Sequence, residues 1–103
     1  MIDLEKDVER ALVQMVKRNG GLCLKWVCPG FAGVPDRIVL LPKGRIVFVE
    51  LKRPKGGQLS ELQKWWIKKL IDMGFSCWVI WDKDELRLFE YVELNGESKE
   101  AML

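Results

Sequence analysis

The sequence contains no histidine, and this absence removes several kinds of active site at once. Imidazole is the side chain whose charge changes nearest to neutral pH, and it is the commonest protein ligand for metals such as zinc. The sequence therefore excludes histidine-based catalysis and histidine-bound zinc. Carboxylates and lysine must carry any hydrolytic chemistry.

Cysteine is also scarce, with three residues at Cys23, Cys28 and Cys77. The number is odd and no two of them have the spacing of a CxxC pair, so neither a disulfide framework nor a four-cysteine zinc site is indicated. We expect three reduced thiols that are mostly packed in the protein interior.

Long hydrophobic runs are missing, and the longest apolar segments have the length of a β-strand. The amino-terminal residues lack an apolar core, so secretion and membrane insertion are not indicated, and we expect a cytoplasmic protein without a membrane partner. Charge is nearly balanced, with 17 Lys and Arg against 15 Asp and Glu. A net charge of +2 is too small to decide whether nucleic acid is a partner.

The length of 103 residues and the ordinary apolar content predict a single domain. We expect this domain to span residues 1–94 and a polar tail to span 95–103. A domain of this size buries a modest share of its surface, so dimerisation could add to its stability.

Hydrophobic periodicity predicts an α/β fold in the order α-β-β-β-α-β-β. The expected helices span 3–18 and 59–73, and the expected strands span 22–28, 36–41, 45–52, 75–81 and 86–91. Strands two and three form a hairpin around Pro42–Gly44, and the helix between strands three and four predicts a parallel crossover. The result is a central mixed β-sheet flanked by helices.

The third strand carries an unusual pair of charged residues. Side chains alternate between the faces of a strand, so Glu50 and Lys52 extend the apolar row of Ile46 and Phe48. Burying ionised groups costs several kcal/mol unless partners or a metal offset the cost, on the order of the usual estimates. The plain alternative is a strand end that emerges into solvent with a Glu/Lys pair.

Asp36 favours the functional interpretation, because a hairpin can bring the start of the second strand beside Glu50. Two hard carboxylate ligands, retained waters and a substrate phosphate make the kind of shell that Mg²⁺ prefers. Lys52 could then hold the attacking water or offset charge on the phosphate in the transition state. Asp36 alone could equally be an ordinary residue at a turn or at the start of a strand.

Gly33-Val34-Pro35-Asp36, followed by Glu50-Leu51-Lys52, resembles the signature of the PD-(D/E)xK nucleases. The flanking helix, the hairpin, the Gly-rich loop and the segment from Leu59 to Gln63 are similar, more narrowly, to the virus-type replication-repair nuclease family, VRR-NUC. The resemblance extends from about Glu5 to Trp81.

The resemblance implies a set of site residues. Asp36 and Glu50 would bind the metal, together with the main-chain carbonyl of Leu51, and Lys52 would position water. A glutamate of the first helix would join them, and here Glu9 fits that position better than Glu5, one turn earlier. Either glutamate could instead be a solvated flank of the helix.

Two further residues match the family but have plain alternatives. Gln63 corresponds to a glutamine near the metal or the DNA backbone, yet Ser60-Glu61-Leu62-Gln63 also fits a helix-capping box. Lys25 corresponds to a strand lysine that could contact phosphate, although a half-exposed lysine with no such role is nearly as good an interpretation.

Positive charge gathers after the catalytic strand, where a polyanionic substrate would need it. Arg53, Lys55 and Lys64 are the candidates for DNA contact, and a solvated basic helix face is the alternative. Of Trp65 and Trp66, one must lie off the buried stripe of the second helix, which suits a dimer interface or base stacking, and we favour the interface.

We therefore expect a Mg²⁺-dependent DNA endonuclease, with Mn²⁺ as a substitute and no nucleotide cofactor. The resemblance implies a homodimer that resolves branched DNA such as a Holliday junction, in the repair pathways of a bacterial or phage-infected cell. The alternatives are a monomeric flap endonuclease or exonuclease, a non-catalytic DNA-binding module on the same fold, and a small protein-interaction domain.

Overall fold

The structure is a computed structural model that describes residues 4–95, and its framework is one sheet of four strands. The elements in chain order are α1 (Glu5–Arg18), β1 (Leu22–Lys25), β2 (Arg37–Leu41), β3 (Arg45–Leu51), α2 (Glu61–Asp72), β4 (Ser76–Ile80) and α3 (Lys83–Phe89). Apart from Asn95, the tail expected at 95–103 lies outside the described residues.

The sheet is mixed, as expected from the sequence. β1, β2 and β3 are antiparallel neighbours, whereas β3 and β4 are parallel and are joined by α2. The β2–β3 hairpin is confirmed, and its turn is a short 3₁₀ segment at Pro42–Gly44 in which Lys43 takes a φ of 68°. The α/β class and the mixed sheet predicted from periodicity are therefore confirmed.

α1 forms because its apolar residues recur at three- and four-residue steps and so share one face. That face, made by Val8, Leu12, Met15 and Val16, is buried against the sheet. α3 adds Leu86 and Phe89 to the same side. The main core therefore lies on one face of the sheet, under α1 and α3.

The last predicted strand, at 86–91, is wrong. The chain forms α3 there and continues as a π-helical segment at Glu90–Leu94. Asp82 starts the helix, because its side chain accepts a hydrogen bond from the Glu85 amide at 2.9 Å. Leu86 and Phe89 are both buried at a helical spacing, whereas Leu88, which a strand would place beside Leu86, is 54% exposed.

The apolar stripe predicted for the second helix is only partly buried. Leu70 is 3% exposed, but Leu62 and Met73 are 46% and 54% exposed. Trp65 is 53% exposed, and Trp66 is half-buried, so one of the two tryptophans lies off the stripe as predicted. The reason is that α2 covers only part of its face of the sheet.

The rest of that second sheet face is apolar and open. Strand register places Leu22, Leu24 and Ile46 on the side of the sheet opposite to α1. Their exposed fractions are 59%, 44% and 39%. An open apolar sheet face of this kind is a candidate contact surface.

A buried glutamate fixes the carboxyl-terminal segment to the sheet. Glu93 is 7% exposed and accepts hydrogen bonds from Arg45 at 3.0 Å and from the Trp78 indole at 2.7 Å. The Arg45 guanidinium also donates to the Glu93 carbonyl. These bonds compensate the buried charge and hold the π-helical segment beside the start of β3.

Over residues 4–95, no helix is long and apolar enough to cross a membrane.

The loop at 29–35 packs tightly on α2. Gly33 has a φ of +87°, and a Cβ atom built there would lie 2.7 Å from the Leu62 side chain. The Trp66 indole donates a hydrogen bond to the Ala32 carbonyl at 3.0 Å. The loop therefore has a specified shape, and it leads directly to Asp36.

We expect Gly33→Ala to lower the free energy of unfolding by about 2–4 kcal/mol, because it adds a clash with Leu62 to the strain of a left-handed residue. Gly30→Ala is the matched control, since Gly30 has a φ of +86° but open space around its Cβ position. Its cost should be about 1 kcal/mol, from backbone strain alone. Urea denaturation measures both, and equal costs would contradict the packing of this loop on α2.

Candidate active site

The carboxyl end of β3 buries an acidic side chain. Glu50 is 2% exposed and lies on the sheet face that α2 covers, in the same row as Phe48. Its strand neighbours Val49 and Leu51 point into the core on the other face. Strand alternation therefore places Glu50 on the sheet face that α2 covers, and α2 buries it there.

Asp36 is tied to the same strand from the side. It precedes β2, and its Oδ2 accepts a hydrogen bond from the Leu51 amide at 2.9 Å. Its carbonyl accepts from the Trp26 amide at 2.9 Å, which extends the β1–β2 ladder by one step. The hairpin thus brings the Asp36 and Glu50 carboxylates together, as the sequence predicts.

Lys52 is the cation of this group. Its Nζ lies 3.2 Å from Glu50 Oε2, and its side chain is 17% exposed. The Lys52 amide donates to the Ile80 carbonyl, which holds the strand end against β4. The ammonium therefore sits at the rim of the site, between the buried carboxylate and solvent.

Gln63 connects the helix to the acid. Its Nε2 donates to Glu50 Oε2 at 2.9 Å, while its Oε1 accepts from the Ser60 amide at 2.9 Å. The Ser60 hydroxyl in turn accepts from the Gln63 amide, which completes the capping box. The two interpretations of Gln63 are compatible, because one amide side chain caps α2 with its oxygen and holds Glu50 with its nitrogen.

Burial makes Glu50 a weak acid. Its pKa is raised from 4.5 to about 7, chiefly by desolvation and then by the charge of Asp36, while Lys52 opposes the shift. Its second oxygen, Oε1, is buried without a hydrogen-bond partner among residues 4–95. Two crowded carboxylates with an unsatisfied oxygen are an environment that a cation would stabilise.

The donor set fits a hard divalent cation. Asp36 and Glu50 could supply carboxylate oxygens, and the main chain of Leu51 between Glu50 and Lys52 could supply a carbonyl, which are the ligand types that Mg²⁺ takes. Over the described part of the chain, no three Asp, Glu or Cys side chains form a group that could hold a metal ion. The protein ligands of such an ion would therefore be two carboxylates and a carbonyl, with water and substrate completing the shell.

Comparison with known proteins identifies the family. The model of the VRR-NUC domain matches residues 4–81, from the residue before α1 to the residue after β4. The chain belongs to the VRR-NUC domain family. The family resemblance predicted from the motif is therefore confirmed, and it places the chain among nuclease domains. α3 and the π-helical segment lie beyond the matched residues.

A solved structure and a curated protein agree with this assignment. A structure described as a VRR-NUC domain superposes with a TM-score of 0.81 at 25% identity, over 86% of this chain and 96% of that chain. "Putative nuclease p44" of Acyrthosiphon pisum secondary endosymbiont phage 1 is 52% identical over 50 residues. That match covers 48% of this chain and 54% of the phage protein, so it spans about half of the relative's length.

In this VRR-NUC domain the helix glutamate lies away from the carboxylate pair. Glu9 Oε2 accepts a hydrogen bond from Arg37 Nε at 2.9 Å, and Arg37 also donates to the Cys23 carbonyl. Register puts Arg37 on the α1 face of the sheet, opposite to Asp36 and Glu50. A role of Glu9 as a metal ligand stays a prediction, and it requires that the carboxylate leave Arg37. Glu5 is the half-buried first residue of α1.

The predicted DNA-contacting residues occupy two regions. Lys25 is exposed at the end of β1 opposite Arg37, hence on the α1 side of the sheet. Arg53 and Lys55 are exposed in the loop between Lys52 and α2, and Lys64 is exposed on α2, where it pairs with Glu61 at 3.2 Å. The loop and α2 residues follow the catalytic strand directly, whereas Lys25 does not share its face.

Two residues that contact or neighbour the predicted site residues were not predicted from the sequence. Arg37 pairs with Glu9, and no local pattern identifies a partner 28 residues away. Cys77 lies on β4 opposite Phe48, on the face that carries Glu50. Burial raises the pKa of Cys77 to about 11, and Glu50 adds to this shift, so its thiol stays protonated. Only the β3–β4 register places Cys77 there.

Glu50 should make the stability of the metal-free protein depend on pH. Because its folded pKa of about 7 exceeds the ordinary 4.5, its contribution to stability is complete below pH 4.5 and is lost as the pH rises through 7. Relative to Glu50→Gln, the free energy of unfolding of the wild type should fall by about 2–3 kcal/mol between pH 5 and 8. Urea denaturation in chelator at several pH values measures this difference.

Glu61→Gln is the control for this titration, because the Glu61 side chain is 92% exposed. Its stability profile should run parallel to that of the wild type. A constant difference between the wild type and Glu50→Gln across this pH range would show that Glu50 titrates normally.

Proposed function

We propose that this VRR-NUC domain is a divalent-metal-dependent DNA endonuclease that hydrolyses phosphodiester bonds, with Mg²⁺ as its ion and Mn²⁺ as a substitute. The observation that carries the proposal is the buried Glu50 carboxylate, which lies beside Asp36 and has one oxygen without a hydrogen-bond partner within residues 4–95. A buried carboxylate without a partner lowers the stability of the fold, and a bound cation would offset this cost.

Each residue of the site has a role in this proposal. Asp36, Glu50 and the Leu51 carbonyl would hold the ion, which when bound lowers the pKa of its water and offsets the charge of the phosphate. Lys52, 3.2 Å from Glu50, would hold the attacking water or a phosphate oxygen. Gln63 keeps Glu50 Oε2 in place, while Oε1 has no hydrogen-bond partner in the described part of the chain and would bind the ion.

Family membership supports catalysis over a purely binding role. The matched residues 4–81 include Asp36, Glu50 and Lys52, and these three side chains lie close together in the structure. A module that only binds DNA gains nothing from a buried carboxylate pair, because like charge repels the phosphate backbone. The phage relative is itself named as a nuclease, which supports a nuclease function for this chain.

The described elements of the fold favour recognition of DNA shape over recognition of base sequence. Among the described elements, α1 and α3 are packed on the sheet and α2 holds Glu50, so no separate helix serves to read bases in a groove. We propose recognition of branched DNA, such as a Holliday junction, by a homodimer. The open apolar face at Leu22, Leu24 and Ile46 would contact the second copy.

We expect Lys52→Ala to bind DNA within about twofold of the wild type while its turnover falls at least 100-fold, because it loses transition-state stabilisation rather than ground-state binding. Asp36→Ala should not cleave. The assay uses labelled four-way junction, flap and linear duplex DNA with Mg²⁺, Mn²⁺ or chelator. Lys68→Ala, an exposed α2 lysine paired with Asp72, is the control.

Four outcomes of this assay are decisive. Paired symmetric nicks on the junction, lost with chelator, support the resolvase. Cleavage of flaps or ends alone keeps the nuclease and replaces the resolvase with a flap endonuclease or exonuclease. Absence of metal-dependent cleavage on every substrate favours a binding module, and unchanged cleavage by Lys52→Ala removes that residue from the mechanism.

We expect the wild type to sediment at twice the 12.0 kDa mass of the chain. Leu24→Glu should sediment as a monomer, because it places a charge in the apolar face of β1, and it should lose paired nicking of the junction. Leu88→Glu, at an exposed leucine on α3, should stay dimeric. A monomeric wild type, or a dimer that tolerates Leu24→Glu, would be inconsistent with this interface.

A further inference from the structure

An apolar groove lies between the loop at 29–35 and the first turns of α2. Its volume is about 680 Å³, which is within the range of sites that hold small organic ligands. We call it the aromatic groove, and it is lined by Gly30, Phe31, Ala32, Glu61, Leu62, Trp65 and Trp66. None of its aromatic residues belongs to the main core under α1 and α3.

The rings of the aromatic groove are fixed and yet accessible. Trp66 is held by its bond to the Ala32 carbonyl, and both Phe31 and Trp65 pack edge-on to it, at 6.0 Å and 5.3 Å between centroids. Phe31 is 61% exposed and Trp65 is 53% exposed. Rigid aromatic rings with exposed surface are the elements on which proteins stack bases of single-stranded nucleic acid.

The aromatic groove and the candidate active site are built from the same two elements, the loop at 29–35 and α2. Leu62 and Trp66 lie on either side of Gln63 in the helix, and the Gln63 amide binds Glu50. On the other wall, Ala32 is in the loop that ends at Asp36. Because both walls of the groove lead to residues of the candidate active site, a nucleotide next to the scissile phosphate can reach the groove.

The charges around the aromatic groove favour a base inside the groove and phosphates outside it. Glu61 lines the opening and its carboxylate is 92% exposed, so a phosphate is disfavoured inside. A carboxylate can accept from the exocyclic amino group of a base. Lys64 and Lys69 are exposed near Trp65 on α2, where they can meet the flanking phosphates.

From these observations we infer that the aromatic groove binds an unstacked nucleobase of the DNA strand whose backbone enters the Asp36–Glu50 site. The inference rests on the proposed function and specifies its substrate, since only DNA with unpaired bases near the cut can supply such a base. A flap, a single strand or an open branch point meets this requirement, and a fully paired linear duplex does not.

The first test measures binding by fluorescence anisotropy, in chelator so that no strand is cut. Trp65→Ala and Phe31→Ala should each bind a labelled single strand about five- to a hundred-fold more weakly, the loss expected for one stacked base. Their affinity for blunt duplex of the same sequence should change less than twofold. Trp65→Phe should retain most of the affinity, and Leu88→Ala, at an exposed leucine outside the groove, should match the wild type.

The second test is an abasic scan in the same assay. One abasic position along the strand should weaken binding to the wild type by the same factor as Trp65→Ala, and should weaken binding to Trp65→Ala no further. This coupling is specific to a base in the groove, because a general loss of structure would leave the two effects independent. Circular dichroism verifies that each variant is folded.

Other results would overturn the inference in distinguishable ways. If the wild type cleaves DNA but Trp65→Ala binds single strands equally well, the groove has no role and the nuclease stands. If Trp65→Ala and Phe31→Ala convert a dimer into monomers in sedimentation, a second copy occupies the groove instead. If the wild type neither binds nor cleaves any DNA, both the inference and the proposed function are wrong.

Discussion

The burial of Glu50 is the constraint that organises this molecule. Strand alternation places an acid in the interior, and desolvation raises its pKa to about 7. Gln63 donates a hydrogen bond to Oε2 of this acid, and Lys52 forms an ion pair with the same oxygen. Asp36 lies beside Glu50 as a second acid, so it does not compensate the buried charge. Oε1 is left buried without a partner among residues 4–95. This arrangement of two acids lowers the stability of the fold. In the proposed function, a bound cation would offset the charge of both carboxylates.

One face of the sheet carries the main core, and the other face carries the candidate active site. One face is closed by α1 and α3, and its buried Val, Leu and Phe side chains form the main core. The other face is only partly covered by α2, which leaves the carboxylate pair, the aromatic groove and the open apolar strip at Leu22, Leu24 and Ile46. A helix that covered this face completely would bury more apolar surface, but it would also block access to Asp36 and Glu50.

Several contacts serve both the fold and the site. Gln63 caps α2 with its oxygen and holds Glu50 with its nitrogen, so the start of the helix and the position of the acid are set together. Gly33 lets the loop approach Leu62 closely, and the same loop delivers Asp36 to the Leu51 amide. Such shared contacts explain how a domain matched over only 78 residues (4–81) can hold a preorganised site.

The sequence by itself determined what depends on local spacing: α1, the hairpin, the crossover, and the meeting of Asp36 with Glu50 and Lys52, because strand alternation and a short turn leave little freedom. Only the tertiary structure decided the rest. The segment after Asp82 suits both a strand and a helix in its apolar pattern, and burial of Leu86 with Phe89 selected the helix. The pairing of Glu9 with Arg37 and the exposure of Trp65 depend on which surfaces pack together. Those are long-range choices, which no periodicity within one segment encodes.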